Sequence, residues 1–291
     1  MCIVFFYDAN DLLLSQKIET LLVQRNLRGM QQVQKSLKPG YCLRAAGILQ
    51  QAILYKKEKN ILIGTGFPVG DTFETDGPVG ALILYQVLKK LGAKPILVCG
   101  GPIAEALQRD YCVHKICINE KHIAEDVAAQ AHSQLQPSVV FSIERPGLAK
   151  NGQYHNMRGE DISDYAASFD YFVMLAKCPT IAIGDGGNEI GMGNVAECIA
   201  SLNVIPAITP CDELIIADVS NWGVYGLLAF LSLWHRQDFL AEVCPQKVLK
   251  YLSAQGSVDG VTRKNELTED GLPASEGIAL IKQFRQLVKF G

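Results

Sequence analysis

The sequence has no excess of positive charge and no long hydrophobic run. Its 291 residues include 27 Lys and Arg against 30 Asp and Glu, for a formal net charge of −3. We therefore expect no nucleic-acid partner, because phosphate binding needs a positive surface. The most apolar stretch, residues 226–234, has about half of the roughly 18 residues that a membrane span requires. We interpret it as a buried helix, and expect no membrane partner.

Targeting signals and paired cysteines are also missing. The N-terminal residues MCIVFFYDANDLLLSQ have no basic lead and no small-residue cleavage site, and Asp8 and Asp11 argue against a mitochondrial transit peptide. The nine cysteines form no CxxC pair, which excludes zinc-ribbon and thioredoxin-type motifs. Their odd number argues against a disulfide framework. We expect a cytoplasmic protein, with Cys99 and Cys117 as small core residues.

What the sequence does contain is a regular alternation of short apolar runs with helical segments. Residues 1–60 favour helices, including one over 41–55, and residues 61–291 carry the motifs. We predict strands at 61–64, 95–99, 115–119, 139–144, 180–185 and 214–220. Strands that are apolar on both faces indicate a mostly parallel sheet between helical layers. The prediction is therefore a single three-layer α/β domain over 1–291, with a helical N-terminal segment that covers the sheet or forms a subunit contact in a homo-oligomer.

Most of the glycine-rich segments follow a predicted strand. In an open α/β sheet, the ligand crevice lies beyond the carboxyl ends of the strands. The loops that hold the unusual residues should therefore converge on one edge of the sheet. This convergence predicts a binding site for a small molecule.

The first of these loops is GTGFPVGDTFETDGPVG at residues 64–80. Thr65 and Gly66 begin it and are predicted to contact the substrate, as is Asp76. Asp76 has an alternative role as the cap of the helix that starts near Pro78, whereas Glu74 has no such structural reason and is a candidate catalytic residue. No Gly-Lys-Ser/Thr follows, so the loop is not a Walker A motif.

The second loop is ERPGLAKNGQYHNMRGEDI at residues 144–162. A long loop this rich in hydrogen-bonding groups is usually functional. Glu144 is a candidate acid or base, and an arginine suits a substrate carboxylate because its guanidinium binds in a bidentate way. A structural ion pair between the adjacent Glu144 and Arg145 is the alternative. The predicted substrate-binding residues of this loop are Arg145, Tyr154, Asn156 and Arg158.

The third loop, GDGGNEIGMGN at residues 184–194, is the most specific. Asp185, Asn188 and Glu189 offer hard oxygen ligands that suit Mg²⁺ or Mn²⁺, and Asp185 and Glu189 are also candidate catalytic residues. The backbone N–H groups at Gly186 and Gly187 are predicted to bind substrate as part of an anion cradle. A purely structural turn is the alternative. The loop lacks the GxGxxG register, so no nucleotide cofactor is expected.

Two C-terminal segments complete the set. Ser220 and Asn221 close the last strand; Asn221 is a predicted substrate contact, with a helix-capping role as the alternative. Residues 256–273 form a polar excursion that includes Asp259, Thr262 and Asp270. We expect this excursion to form a flap over the site.

Together these segments resemble the D-glutamate cyclase C-terminal-domain-like family. The resemblance rests on TGFPV with ETDGPVGA, ERPG with NGQYHNMRGEDIS, GDGGNEIGMGNV, SNWGVYGL, and VDGVT with EDGLP, in order along the chain after residue 61. It implies an α/β domain and a lyase that dehydrates D-glutamate to 5-oxo-D-proline. The family's animal enzyme also has a large N-terminal domain, similar to a hydro-lyase family, with no counterpart in this sequence.

These residues give two hypotheses of different classes. In the first, Asp185, Asn188 and Glu189 hold Mg²⁺ or Mn²⁺, Arg145 or Arg158 binds the substrate carboxylate, and Glu74 or Glu144 transfers protons. In the second, the chain is a non-catalytic or differently specific binding domain for a small acidic or phosphorylated metabolite. The many carboxylates would repel an anion unless a cation intervenes, which favours the metal-assisted enzyme with D-glutamate as a typical substrate.

Overall fold

The computed structural model describes residues 8–291, apart from the side chains of residues 119–121. Cys2 and the apolar N-terminal patch up to residue 7 lie outside the described residues. Within the described part, no helix combines the length and hydropathy that crossing a bilayer requires.

The centre of the fold is a parallel sheet of six strands in the order β5-β4-β1-β6-β7-β8. Two short antiparallel hairpins, β2–β3 and β9–β10, lie outside it. The strands are β1 (Asn60–Thr65), β2 (Pro68–Val69), β3 (Thr72–Phe73), β4 (Lys94–Cys99), β5 (Val113–Lys115), β6 (Val139–Ile143), β7 (Thr180–Gly184), β8 (Glu213–Ile216), β9 (Thr268–Glu269) and β10 (Leu272–Pro273).

Helices cover both faces of this sheet. Side chains along β1 alternate between two apolar cores: Ile61 and Ile63 face one, and Leu62 faces the other. The larger core includes side chains of α1, α3, α4 and α9, and the smaller one includes α6 and α7. The helices are α1 (Ala9–Leu22), α2 (Met30–Gln34), α3 (Tyr41–Tyr55), α4 (Pro78–Lys90), α5 (Ile103–Leu107), α6 (Ala124–Leu135), α7 (Asp170–Met174), α8 (Ala196–Ile199), α9 (Ser220–His235), α10 (Pro245–Ala254) and α11 (Ala274–Leu287).

This architecture confirms the predicted three-layer α/β fold with a helical N-terminal segment. The helix predicted over 41–55 has those bounds, and the apolar run at 226–234 lies in α9. The strand predicted over 115–119 is wrong, since β5 ends at Lys115 and a 3₁₀ helix begins at Ile118. Cys117 is consequently exposed rather than in the core, whereas Cys99 is buried as predicted.

The strand order places the crevice. Counted along the chain, the six strands stand in the order 3-2-1-4-5-6 across the sheet. The first three strands are added towards one edge and the last three towards the other, so the order of addition reverses between β1 and β6. In doubly wound sheets ligands bind at this reversal, beyond the carboxyl ends of the strands. The ends of β1 and β6 are Thr65 and Ile143, which places the loops at 66–77 and 144–162 on the two sides of the crevice.

The helical N-terminal segment covers one face of the sheet. α1 packs on α3 and α9, and α3 packs on α9 and β8. Ile18 and Leu22 of α1 are fully buried in the larger core. The covering role predicted for this segment is therefore observed, and its connection from α1 to α2 reaches the crevice.

Candidate active site

Three buried carboxylates meet where the strand ends converge. Glu144 directly follows β6, Asp185 directly follows β7, and Asp76 precedes α4. One carboxylate oxygen from each lies within 4.8 Å of the other two, and each residue is at most 5% exposed. We call Asp76, Glu144 and Asp185 the carboxylate triad. Sequence analysis named all three as site residues but placed only Asp185 in a metal site.

A cavity of about 400 Å³ opens beside the triad. It is lined by segments from both sides of the crevice, by the excursion at 256–273, and by Arg28 from the N-terminal segment. The predicted site residues that line it are Glu74, Glu144, Asn156, Arg158, Asp185 and Asn188. Those that lie outside its lining are Thr65, Gly66, Asp76, Arg145, Tyr154, Gly186, Gly187, Glu189 and Asn221.

Asp76 and Asn221 cap two different helices. Asp76, which precedes α4, caps α9, and Asn221, in the first turn of α9, caps α4. The Asp76 carboxylate accepts hydrogen bonds from the backbone N–H groups of Ser220 and Asn221, both at 2.8 Å, at the start of α9. The Asn221 Oδ1 accepts from the N–H groups of Gly77 (2.9 Å) and Gly80 (2.6 Å), at the start of α4. These bonds satisfy N–H groups that a helix leaves without partners. The capping alternative for Asn221 is thus observed, across two helices.

We expect Asn221→Ala to lower the free energy of unfolding by about 1–3 kcal/mol. It removes the side-chain acceptor of the buried Gly80 N–H, whereas the Gly77 N–H keeps its hydrogen bond to Asp76 Oδ1. Urea denaturation measures this change. Asn10→Ala, at an exposed position in α1, is the control and should change stability by less than about 0.5 kcal/mol. Equal stability of the two variants would contradict the role of Asn221 as a shared cap.

Gly77 allows the close approach on which this arrangement depends. Its φ is +86°, and a Cβ built on it would lie 2.6 Å from the Cβ of Glu144. Both the positive φ and the contact demand glycine. Glu144 itself has φ +46°, a left-handed conformation that non-glycine residues adopt rarely and that often marks functional positions.

The third glycine-rich loop binds an anion, but that anion is its own Glu189. The N–H groups of Gly186 and Gly187 donate to the two carboxylate oxygens of Glu189, at 2.8 and 2.7 Å. The predicted cradle for a substrate is therefore filled from within the loop. Asn188 Nδ2 donates to the carbonyl of His155 at 2.8 Å, while its buried Oδ1 has no hydrogen-bond partner and the residue lines the cavity.

Arg145 and Tyr154 bind other groups of the protein rather than facing the cavity. The guanidinium of Arg145 donates to the carbonyls of Thr65, Gly66 and Ala167, and the residue is only 3% exposed. The Tyr154 hydroxyl donates to the buried carboxylate of Asp170 at 2.7 Å. Of the two arginines predicted to bind a substrate carboxylate, only Arg158 reaches the cavity. The alternative ion pair between Glu144 and Arg145 is not among the ion pairs of the described residues.

Arg28 is the site residue that sequence reasoning missed. Its Nη1 lies 2.6 Å from Asp185 Oδ2 and 2.6 Å from Asp270 Oδ2. It belongs to the connection between α1 and α2, where no motif singled it out. Asp270 lies in the predicted excursion, has φ +53°, and lines the cavity with Gly260 and Arg263. The excursion therefore contributes one wall of the cavity.

The carboxylates of the site are short of positive charge. Burial, together with the charges of neighbouring carboxylates, raises the pKa of Glu74, Glu144 and Asp185 well above the usual range. Burial and Asp270 raise the pKa of Asp76 to about 7. Asp270 is the exception: burial opposes its ionisation, but the charge and hydrogen bond of Arg28 hold its pKa below the ordinary value.

A divalent cation fits this donor set. Three buried carboxylates have oxygens within 4.8 Å of one another, and the unpartnered amide oxygen of Asn188 belongs to a residue that lines the same cavity. These are the hard oxygen ligands that Mg²⁺ or Mn²⁺ prefers. The residues able to hold it are Asp76, Glu144 and Asp185. Of the predicted ligands, Glu189 is not in the group of described carboxylates close enough together to share an ion, and Asn188 offers its Oδ1 from the cavity wall.

Comparison with known proteins agrees with these features. Residues 18–285 match the model of a family described as D-glutamate cyclase-like, C-terminal. The chain belongs to this family. Over 221 residues it is 30% identical to the human protein named D-glutamate cyclase, mitochondrial, an alignment that covers 67% of this chain and 36% of the human protein. The chain thus spans about a third of that relative, whose name places it in mitochondria; the cytoplasmic location stays a prediction.

Proposed function

We propose that the chain is a D-glutamate cyclase-like lyase, which converts D-glutamate to 5-oxo-D-proline and water with the help of a divalent metal ion. The observation that carries this proposal is the carboxylate triad at the edge of a cavity that also presents arginine side chains. Family membership and the name of the human relative support the same reaction. We further propose that residues 1–291 act as one domain.

The reaction closes a ring within one molecule. The α-amino nitrogen, an ammonium in free glutamate, attacks the γ-carboxylate; a C–N bond forms and a C–O bond breaks. Of the three ammonium protons, two leave with the departing oxygen as water and one stays on the lactam nitrogen. Holding the substrate folded meets much of the entropic cost of this step. The remaining obstacle is the negative charge of the γ-carboxylate, which makes it a poor electrophile; a divalent cation held by the triad supplies Lewis acidity against that charge.

Glu74 is the proposed acid and base. It lines the cavity and is 7% exposed, and burial raises its pKa well above the usual range, which suits a carboxyl group that both donates and accepts a proton. It gives that proton to the departing oxygen and takes one from the nitrogen. Arg158, exposed on the cavity wall, is positioned to bind the α-carboxylate through its guanidinium. Arg145 has no part in this mechanism.

Incubation with each enantiomer of glutamate tests the proposal. The purified chain receives D- or L-glutamate, with Mn²⁺, with Mg²⁺ or with EDTA, and chiral chromatography follows 5-oxoproline. We expect the D-product alone, and only in the presence of metal. Lack of product from either enantiomer would contradict the proposed activity for this chain.

The second candidate function is binding without turnover of a small acidic or phosphorylated metabolite. Arg158 and Arg263 favour this function, because both are exposed residues that line the cavity and offer guanidinium groups to an anion. The chain also spans only 36% of the human cyclase. Saturable binding of unreactive dicarboxylates or phosphate, with no product from glutamate, would support this function over the first.

Gly260 offers a test of Glu74 that removes no carboxylate. A Cβ built on Gly260 would lie 2.0 Å from Glu74 Oε2, so Gly260→Ala must displace that carboxylate. We expect kcat/KM for 5-oxoproline formation to fall by about tenfold or more, since a displacement near 1 Å is costly in a catalytic site. The double variant Gly260→Ala, Glu74→Gln is the control. It should be no less active than Glu74→Gln alone; further loss would show that Gly260 acts on something else.

A further inference from the structure

One arginine bridges two of the buried carboxylates of the cavity. The Arg28 Nη1 contacts both Asp185 and Asp270 at 2.6 Å, and the side chain is 18% exposed. Among the ion pairs formed by described residues, those of Arg28 are the ones that reach the cavity's buried carboxylates. Arg28 therefore supplies the positive charge that Asp185 has in the absence of a metal.

Asp185 also belongs to the carboxylate triad, whereas Asp270 does not. A guanidinium and a divalent cation on the same carboxylate repel each other strongly, because Asp185 is only 2% exposed and water screens charges little at a buried position. They are therefore alternative partners of Asp185. Asp270 would hold Arg28 in the cavity after the pair with Asp185 breaks, since the same nitrogen contacts both aspartates.

An independent feature of the cavity also indicates a missing ligand. Asn188 is 2% exposed and lines the cavity, yet its Oδ1 has no hydrogen-bond partner. Leaving a buried acceptor without a partner is costly. A bound cation would give this oxygen a partner and would neutralise the carboxylates of the triad. Arg28, which contacts Asp185 alone among the triad, does neither fully.

We propose that Arg28 is the counter-ion of Asp185 until a divalent cation displaces it. The freed guanidinium, still paired with Asp270, then binds the γ-carboxylate of the substrate, the one that Arg158 does not bind. The inference rests on the proposed function and adds an order to it: metal first, then substrate. It also assigns the connection between α1 and α2 a direct part in substrate binding. Metal and substrate should consequently strengthen each other's binding.

Titration calorimetry with Mn²⁺ and with glutarate tests this order. Glutarate has the two carboxylates of glutamate but no amine, so it binds without reacting. In Arg28→Gln, we expect Mn²⁺ to bind at least tenfold more tightly than in the wild type, because its competitor is gone. Glutarate, measured at saturating Mn²⁺, should bind at least tenfold more weakly.

Arg44→Gln is the matched control. Arg44 is also partly buried and pairs with a carboxylate, that of Glu213 at 2.7 Å, but neither residue lines the cavity. Both affinities should stay within about twofold of the wild type, as expected for a remote site. Thermal melting shows whether each variant is folded.

Arg28→Lys decides the question if Arg28→Gln does not fold. An ammonium still competes with the metal but lacks the fork that binds a carboxylate in a bidentate way. Mn²⁺ affinity should stay within about threefold of the wild type, while the Mn²⁺-dependent gain in glutarate affinity disappears. A full gain in this variant would overturn the proposal.

The possible failures are distinct. Wild-type protein that binds Mn²⁺ with an affinity unchanged in Arg28→Gln contradicts the inference and leaves the metal-assisted function standing. Wild-type protein that does not bind Mn²⁺, beside an Arg28→Gln variant that does, supports the displacement. If neither binds Mn²⁺, the inference and the metal-assisted function fall together.

Discussion

Asp185→Asn is expected to reduce the rate of 5-oxoproline formation by about a thousandfold, the largest effect of a single conservative change in this chain. Asp185 is 2% exposed, belongs to the carboxylate triad, and pairs with Arg28. Asparagine keeps the shape of the side chain but removes the charge on which cation binding depends. Initial rates with D-glutamate and Mn²⁺ measure the loss, and calorimetry should show Mn²⁺ affinity falling with it.

Asp238→Asn provides the matched control for this prediction. Asp238 is also an aspartate paired with an arginine, with its Oδ2 at 2.8 Å from the Nε of Arg285, but it does not line the cavity. Its activity should stay within about twofold of the wild type. A folded Asp185→Asn variant with more than half of the wild-type activity would show that the triad has no part in the reaction.

The sheet and the position of the site could be predicted because both depend on simple periodic features. Apolar runs on both faces require a covered parallel sheet, and four of the six predicted strands overlap an observed one over most of their length. A fifth, predicted over 214–220, runs past the end of β8 at Ile216 to the first residue of α9. The ends of parallel strands meet at one edge, so Glu144 and Asp185 had to be neighbours once β6 and β7 were paired. The strand predicted over 115–119 is wrong because this short apolar run begins at the last residue of β5 and leads into a 3₁₀ helix.

The direction of each polar side chain could not be predicted in the same way, because it depends on which donors and acceptors are nearby in space. Arg145 and Arg158 look equally suited to a substrate carboxylate in the sequence. Arg145 instead finds three backbone carbonyls, and Arg158 faces the cavity. Glu189 likewise meets two N–H groups of its own loop, which no spacing rule reveals.

Arg28 shows a further limit. It lies 157 residues before Asp185 in the sequence and has no motif around it. Only the packing of α1 on α3 and α9 brings the following connection to the crevice. The charge balance is the signal that could have identified Arg28. So many buried carboxylates require at least one cation, and the motif-bearing loops contribute no cation beside the carboxylate triad.

The same charge balance predicts an unusual dependence of stability on pH. Burial and the charge of Asp76 raise the pKa of Glu269 to about 8, so the folded protein keeps a proton there that the unfolded chain releases above its ordinary pKa. Stability from this group is fully present at low pH and is lost as pH rises to about 8. The free energy of unfolding should fall by about 3–4 kcal/mol between pH 5 and pH 8, most steeply in the middle of that range.

Glu269→Gln isolates this contribution, because glutamine resembles the protonated acid and can still accept the hydrogen bond from Asn221 Nδ2, now at 3.0 Å. In urea denaturation with EDTA, the variant should match the wild type at pH 5 and be the more stable protein at pH 8. Glu125→Gln, at an exposed position in α6, should follow the wild type at both pH values. A Glu269→Gln variant that is less stable than the wild type at pH 8 would mean that Glu269 is ionised in the folded protein. Because EDTA removes divalent metal ions, the charge that offsets its burial would then have to come from the protein's own side chains.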